Sequence, residues 1–178
     1  GSTGAILAGG LFGVGRIEGV GRPALTGVFP NENGGSLIMD VGANADCKPK
    51  NLDEFAMMGS IYAQNILGRK NPKVALVNIG SEEGKGNELY KTAFELMKAN
   101  ADYNFVGNIE AREIPTSNVD VIVCDGFTGN IIIKLTEGIA SRFFDMLKKV
   151  MFENIKTKFA ALMLKKSLYN MKKELDAD

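Results

Sequence analysis

The sequence predicts an α/β fold in three layers, a mainly parallel sheet with helices on both faces, and three observations carry that prediction. Short apolar runs of strand length alternate with segments whose apolar residues recur at helical spacing. Each predicted strand runs into Asn or Asp together with Gly, the composition of a turn at a strand end. A chain of 178 residues with 45% hydrophobic content is also long enough for one domain with a buried core.

The opening Gly1-Ser2-Thr3-Gly4-Ala5, followed by an apolar run to Phe12, reads as a turn feeding a helix. Gly1-Ser2 is equally the remnant of a cloning step, whereas Thr3-Gly4 before a helical pattern has the form of a ligand-binding turn. Ser36-Leu37-Ile38-Met39 follows the turn signal Asn33-Gly34-Gly35 and stops at Asp40-Val41-Gly42, as a buried strand does. A helix follows, capped by Asn51 with Glu54 three residues on, carrying Leu52, Phe55, Ala56, Tyr62, Ala63 and Ile66 on one face and closed by Gly68. A second βα unit comprises the strand Val74-Ala75-Leu76-Val77, a glycine-rich turn from Gly80 to Gly86, and a helix facing inward through Leu89, Ala93, Leu96 and Met97. Tyr103–Val106 and Val119–Cys124 read as two further strands, the second leading to a helix around Ile131 to Leu135 and beyond. From residue 139 to 175 apolar residues repeat at helical spacing with no Gly or Pro, over a length that one straight helix would extend to roughly 55 Å. Folding back as a protruding hairpin is the expectation. The chain thus divides into an α/β core at 1–138 and an amphipathic helical hairpin at 139–178.

Composition narrows the function. The 21 basic and 21 acidic residues cancel, so no global field draws the chain to nucleic acid. No histidine is present and Cys47 and Cys124 stand far apart, which removes the usual zinc sets and any Ser-His-Asp or Cys-His mechanism within this chain. Cys124 reads as an inert thiol, since it has no base and Asp125 is adjacent. No apolar run approaches a membrane span and no signal peptide opens the chain, so a cytoplasmic location is expected.

Four segments, Asp40-Val41-Gly42-Ala43-Asn44, Asn78-Ile79-Gly80, Gly107-Asn108 and Asp125-Gly126-Phe127-Thr128-Gly129-Asn130, should converge at the carboxyl edge of the sheet, where ligands bind in such folds. Glycine lets backbone amides approach an anion, and helix starts add positive ends. Gly80-Ser81-Glu82-Glu83-Gly84-Lys85-Gly86-Asn87 does not fit a nucleotide P-loop: the glycine spacing is short, Gly follows Lys85, and two glutamates would repel a triphosphate. Gly13-Val14-Gly15 does not continue into a dinucleotide fingerprint. A smaller oxyanion or a carbonyl oxygen gaining charge fits better. The candidate catalytic residues are Lys85, Asn87 and Asn44; the candidate phosphate-binding residues are Thr3, Gly4, Gly42, Gly80, Gly84, Gly86, Asp125, Gly126, Gly129 and Asn130. No metal or cofactor is expected.

Taken together, Thr3-Gly4-Ala5, Arg22-Pro23-Ala24, Asp40-Val41-Gly42-Ala43-Asn44, Cys47-Lys48-Pro49, Met58-Gly59-Ser60-Ile61-Tyr62-Ala63, Asn78-Ile79-Gly80, Glu82-Glu83-Gly84-Lys85-Gly86-Asn87-Glu88 and Val123-Cys124-Asp125-Gly126-Phe127 resemble the bacterial phosphate:acyl-acyl carrier protein acyltransferases, the PlsX family. The resemblance runs nearly end to end, with the family's opening βα units and its glycine-rich C-terminal segment missing. It implies a fold like phosphotransacetylases and isocitrate dehydrogenases, a homodimer, acyl carrier protein and inorganic phosphate as partners, and acyl-phosphate made for phospholipid synthesis. The alternatives are a phosphotransacetylase-like enzyme acting on short acyl-CoA and a noncatalytic scaffold that recruits acyl carrier protein to membrane. Residues 140–175 hold nine basic and three acidic side chains, so 139–175 is expected to serve dimerisation or contact with an anionic membrane at the inner face of the cell membrane.

Overall fold

A computed structural model describes residues 20–31 and 33–175 of the chain, with side chains through 171. The Thr3-Gly4 turn and the helix to Phe12 lie outside the described residues. The chain divides into two units, residues 1–131 and 132–178, where the sequence reading set its boundary at 138/139.

In the first unit, strands β1 (Thr26–Phe29), β2 (Ser36–Met39), β3 (Lys73–Asn78), β4 (Asn104–Glu110) and β5 (Val121–Val123) form one sheet. Their order is β1-β2-β5-β3-β4. β2, β5, β3 and β4 are mutually parallel, and β1 lies antiparallel on β2. Helix α1 (Pro49–Asn65) connects β2 to β3, and α2 (Glu88–Ala99) connects β3 to β4. These βα crossovers make the sheet parallel, because a parallel neighbour needs a long return path.

Leu37, Met39, Val74, Leu76, Val121 and Val123 project from one face into a core with Leu52, Phe55 and Ala56 of α1 and Ala93, Phe94 and Met97 of α2. Ile38, Ala75 and Ile122, which alternate with them, are also buried. Both faces of the central strands are therefore covered, which is why these strands read as unbroken apolar runs. α1 seats close to β5: a Cβ at Gly59 would meet Val121 Cγ1 at 2.5 Å.

Several boundaries differ from the sequence reading. α1 starts at Pro49, with Asn51 inside it; the Asn51 side chain reaches back to accept the Lys48 N–H at 2.9 Å. Tyr62 and Ile66 are exposed, because the buried stripe runs through Leu52, Phe55, Ala56, Gly59 and Ala63. In α2 the buried stripe is Tyr90, Ala93, Phe94 and Met97, and Leu96 faces outward. β4 does not end at Gly107-Asn108: Gly107, at φ 103°, takes up a bulge and the strand continues to Glu110. The helix α3 (Gly126–Met151) begins directly after Asp125, so Gly129 and Asn130 are helical. β1 has no counterpart in the sequence reading, being four residues long with Gly27 inside and Pro30 after it.

In the second unit, α3 ends at Met151 and α4 (Ile155–Leu175) follows. Asn154 caps α4, accepting the Thr157 N–H at 3.0 Å, while Thr157 Oγ1 accepts the Asn154 N–H at 3.1 Å. Two helices joined by a short turn are present, but among the described residues they do not pack along each other. Leu135, Ile139, Phe143, Val150, Phe159, Leu162 and Met163 all remain more than half exposed.

Candidate functional site at the carboxyl edge of the sheet

Because β2, β5 and β3 are parallel neighbours, their carboxyl ends and the loops beyond Met39, Val123 and Asn78 lie along one edge of the first unit. The loop after β2 is organised by Asp40, which is fully buried. Its Oδ1 accepts the N–H groups of Leu25 and Ala43, both at 3.0 Å. Its Oδ2 accepts the Asn44 N–H at 2.7 Å and Asn44 Nδ2 at 2.8 Å. Asn44 Nδ2 also donates to the Pro23 carbonyl at 2.8 Å, and the Asn44 carbonyl accepts the Gly126 N–H at 2.8 Å. The loop after β2 is in this way tied to the first residue of α3.

That junction explains two glycines. A Cβ at Gly126 would lie 2.7 Å from the Asn44 carbonyl oxygen, and one at Gly129 would overlap the Asp40 carbonyl oxygen. Both permit backbone-to-backbone packing of the Asp40 loop on α3. Gly42 needs glycine for another reason, its φ of 118°.

Asp125 caps α3 at the next strand end. Its Oδ1 accepts the Thr128 N–H at 2.8 Å. Its Oδ2 accepts Thr128 Oγ1 at 3.0 Å and the hydroxyl of Tyr90, on α2, at 2.6 Å. The Tyr90 oxygen in turn accepts the Asp125 N–H at 3.4 Å. Burial, and then the bond to Asp125, push the Tyr90 hydroxyl pKa well up, so it stays a donor. Neither Asp40 nor Asp125 has a Lys or Arg ion-pair partner among the described residues, so amide and hydroxyl donors alone satisfy them.

The third loop lies between β3 and α2. Asn78 Nδ2 donates to the Lys85 carbonyl at 3.0 Å and to Asn108 Oδ1 at 3.2 Å, and Asn108 Nδ2 donates to the Glu82 carbonyl at 2.8 Å. The turn is thereby pinned to β3 and β4 from beneath. Gly86, at φ 95°, passes so close over Asn78 that a Cβ would stand 2.7 Å from its Oδ1. Asn87 caps α2, its Oδ1 accepting the Tyr90 N–H at 3.1 Å. Lys85 is exposed, its Nζ only loosely paired with Glu82 at 3.8 Å. Such a pair at the surface is worth about 0–1 kcal/mol and gives way readily to a stronger anion.

Thr3 and Gly4 lie outside the described residues. Of the others, Gly42, Asn44, Asp125, Gly126, Gly129 and Asn130 gather where the Asp40 loop meets α3, with Asn130 Oδ1 3.6 Å from a Cβ position at Gly42. Gly80, Gly84, Lys85, Gly86 and Asn87 belong to the loop after β3. Sequence reasoning missed Tyr90; it placed Thr128, Asn78 and Asn108 in segments at the ligand edge, without the hydrogen bonds by which they brace it. Tyr90 occupies a core position of α2, and its spacing signals burial without revealing that its hydroxyl reaches another loop. The Cys124 thiol is buried, and burial first, then Asp125 and Asp40, raise its pKa well above 9.0. Cys47, half-buried, is pushed up to about 11, chiefly by burial. Both stay protonated at neutral pH, as an inert thiol does.

A family model described as "Fatty acid synthesis protein" matches residues 1–178. A "Phosphate acyltransferase" of Alkaliphilus oremlandii is 58% identical over 176 residues, covering 99% of this chain and 52% of that protein. Another, of Clostridium novyi, is 55% identical over 176 residues, covering 99% of this chain and 53% of that protein. The chain spans about half the length of the curated relatives it matches. Among solved structures, the EutD phosphotransacetylase from Staphylococcus aureus superposes with a TM-score of 0.60 at 17% identity, over 74% of this chain and 46% of that one. At that identity the likeness concerns the fold, and it agrees with the three-layer α/β architecture. The chain belongs to the fatty acid synthesis protein family, whose curated members at more than half identity carry the name phosphate acyltransferase.

Proposed function

We propose that the protein containing this chain transfers a long-chain acyl group from acyl carrier protein to inorganic phosphate, giving the acyl-phosphate used in phospholipid synthesis. The observation that carries this reading is the composition of the carboxyl edge. Its two buried carboxylates are saturated by their own donors, while Lys85 stands exposed in a glycine-rich turn, held among the described residues only by a loose pair to Glu82. An edge of that kind offers an ammonium and backbone amides to a small oxyanion.

In this reading a phosphate oxygen attacks the thioester carbonyl carbon, the C–S bond breaks, and the departing thiolate takes the proton that phosphate carried. Phosphate is already ionised near pH 7, so the step needs little help from a base, which suits a chain with no histidine. Lys85 and Asn87 would hold phosphate or the developing oxyanion. No cofactor takes part. The apolar, lysine-rich stretch 139–175 is read as a self-association surface that makes a homodimer, at the cytoplasmic face of the membrane. Among the described residues no helix is long and apolar enough to cross a membrane.

The test is acyl-phosphate formation by the full-length protein from acyl carrier protein thioester and phosphate, without ATP or NAD. Lys85→Ala and Asn87→Ala should each lower kcat/KM by about 10², the scale of losing one preorganised donor. A requirement for ATP or NAD, or parental kinetics in both variants, contradicts the reading.

A further inference from the structure

The candidate donors fall in two loops on neighbouring strands: the turn at 80–87 after β3, and the Asp40–α3 junction after β2 and β5. Among the described residues, one side chain joins them by hydrogen bonds. Tyr90 stands in the first turn of α2, three residues after the Asn87 cap, and its hydroxyl crosses to Asp125 at 2.6 Å. Thr128 Oγ1 donates to the same Oδ2 at 3.0 Å. Each hydroxyl has a single hydrogen, and both are directed at Asp125, so the 3.2 Å separation of the two hydroxyl oxygens is a contact between filled donors. Asp125 Oδ1 alone suffices to cap α3 through the Thr128 N–H, so the Tyr90 bond is surplus to the helix cap. Its effect is to fix the carboxylate rotamer and the distance between the starts of α2 and α3.

We propose that Tyr90 is a positioning residue for phosphate: acting through Asp125, it sets the gap between the 80–87 turn and the first turn of α3, across which the anion is held. The proposal rests on the acyl-phosphate reading above. Donors that bind one small anion from two loops must be held to within about half an ångström, and a charge-assisted bond from a rigid, buried ring supplies that constraint. A tyrosine kept only for packing would need no hydroxyl at this point.

The experiment uses the full-length enzyme, with phosphate as the varied substrate. Tyr90→Phe keeps the ring and removes the bond; it should lower kcat/KM for phosphate about tenfold or more while the protein stays folded below its melting temperature. In an Asp125→Ala background the same substitution should change kcat/KM less than twofold, because the group it acts through is gone. A purely structural role would lower Tm and leave the kinetics of the folded enzyme unaltered in both backgrounds; that outcome, or full additivity of the two substitutions, overturns the proposal. If Tyr90→Phe does not yield soluble protein, Thr128→Val reports on the same carboxylate oxygen, and parental phosphate kinetics in that variant overturn it as well. A parent enzyme without phosphate-dependent activity would sink the acyl-phosphate reading itself. An active parent with an unaffected Tyr90→Phe would remove only the positioning role.

Discussion

At the scale of single residues, Asp40 is the side chain on which the first loop depends. It is fully buried and accepts four hydrogen bonds, from the backbone of Leu25, Ala43 and Asn44 and from the Asn44 amide. Asp40→Asn keeps the volume but turns one oxygen into an NH₂ that faces existing donors. Hydrogen bonds to a charged group contribute roughly 1.5–3 kcal/mol each, so the substitution should destabilise the full-length protein by about 3 kcal/mol in urea denaturation. A change below about 0.5 kcal/mol would mean that the loop is held by other contacts. The importance of the Asp40 and Asp125 segments is legible in the sequence, since Asp followed by Gly at a strand end is turn chemistry. That these two carboxylates fix loop amides follows from the same chemistry, and they do so for Leu25, Ala43, Asn44 and Thr128. What cannot be read there is the Tyr90 hydroxyl on Asp125, a consequence of tertiary packing that neither spacing nor composition encodes. Tyr90 was hidden for the same reason, its polar end lying on a helix face that spacing marks as core.

At the scale of elements, the βα alternation is legible because the central strands are buried on both faces and the helices on one. Periodicity separates these two situations directly. The misread features are those where local and tertiary signals diverge. Asn51 looks like a helix cap, yet it sits inside α1 and reaches back to Lys48, because Pro49 already starts the helix. Gly107 looks like the end of β4, yet it bulges, and Asn108 stays in register to brace the 80–87 turn. Gly59 shows how closely these elements fit. A methyl there would meet Val121 Cγ1 at 2.5 Å and push α1 off β5. Gly59→Ala gains helix propensity at an interior position, worth about 1 kcal/mol. Overpacking costs about 1–3 kcal/mol and should win. The expected outcome is a net loss of stability in thermal unfolding; a raised melting temperature would show that α1 can shift without cost.

At the scale of the whole molecule, the two units differ in how they satisfy their apolar residues. The first builds a buried core around the sheet, with scattered exposed apolar residues such as Ile66 and Ile79. In the second, Ile139, Phe143, Val150, Phe159, Leu162 and Met163 remain largely exposed along α3 and α4, more apolar surface than solitary side chains on a monomer present. The sequence reading anticipated helices here and a fold-back; the turn at 152–154 and its Asn154 cap provide the break, while among the described residues α3 and α4 do not pair their apolar faces with each other. Phe159→Glu with Leu162→Glu in the full-length protein should therefore halve the mass measured in solution while the α/β unit stays folded. An unchanged mass with lost sedimentation on anionic liposomes would assign the surface to lipid, and no change in either would remove the self-association reading.

The central claim, that the carboxyl edge of the sheet holds phosphate, is tested most directly by a crystal structure of the full-length protein grown with thiophosphate, whose sulfur can be located by anomalous scattering. The account predicts one anion at the ends of β2, β5 and β3, within hydrogen-bond distance of Lys85 Nζ and of backbone amides in the 80–87 turn. An anion bound at another edge of the sheet, with Lys85 still paired to Glu82, would contradict it.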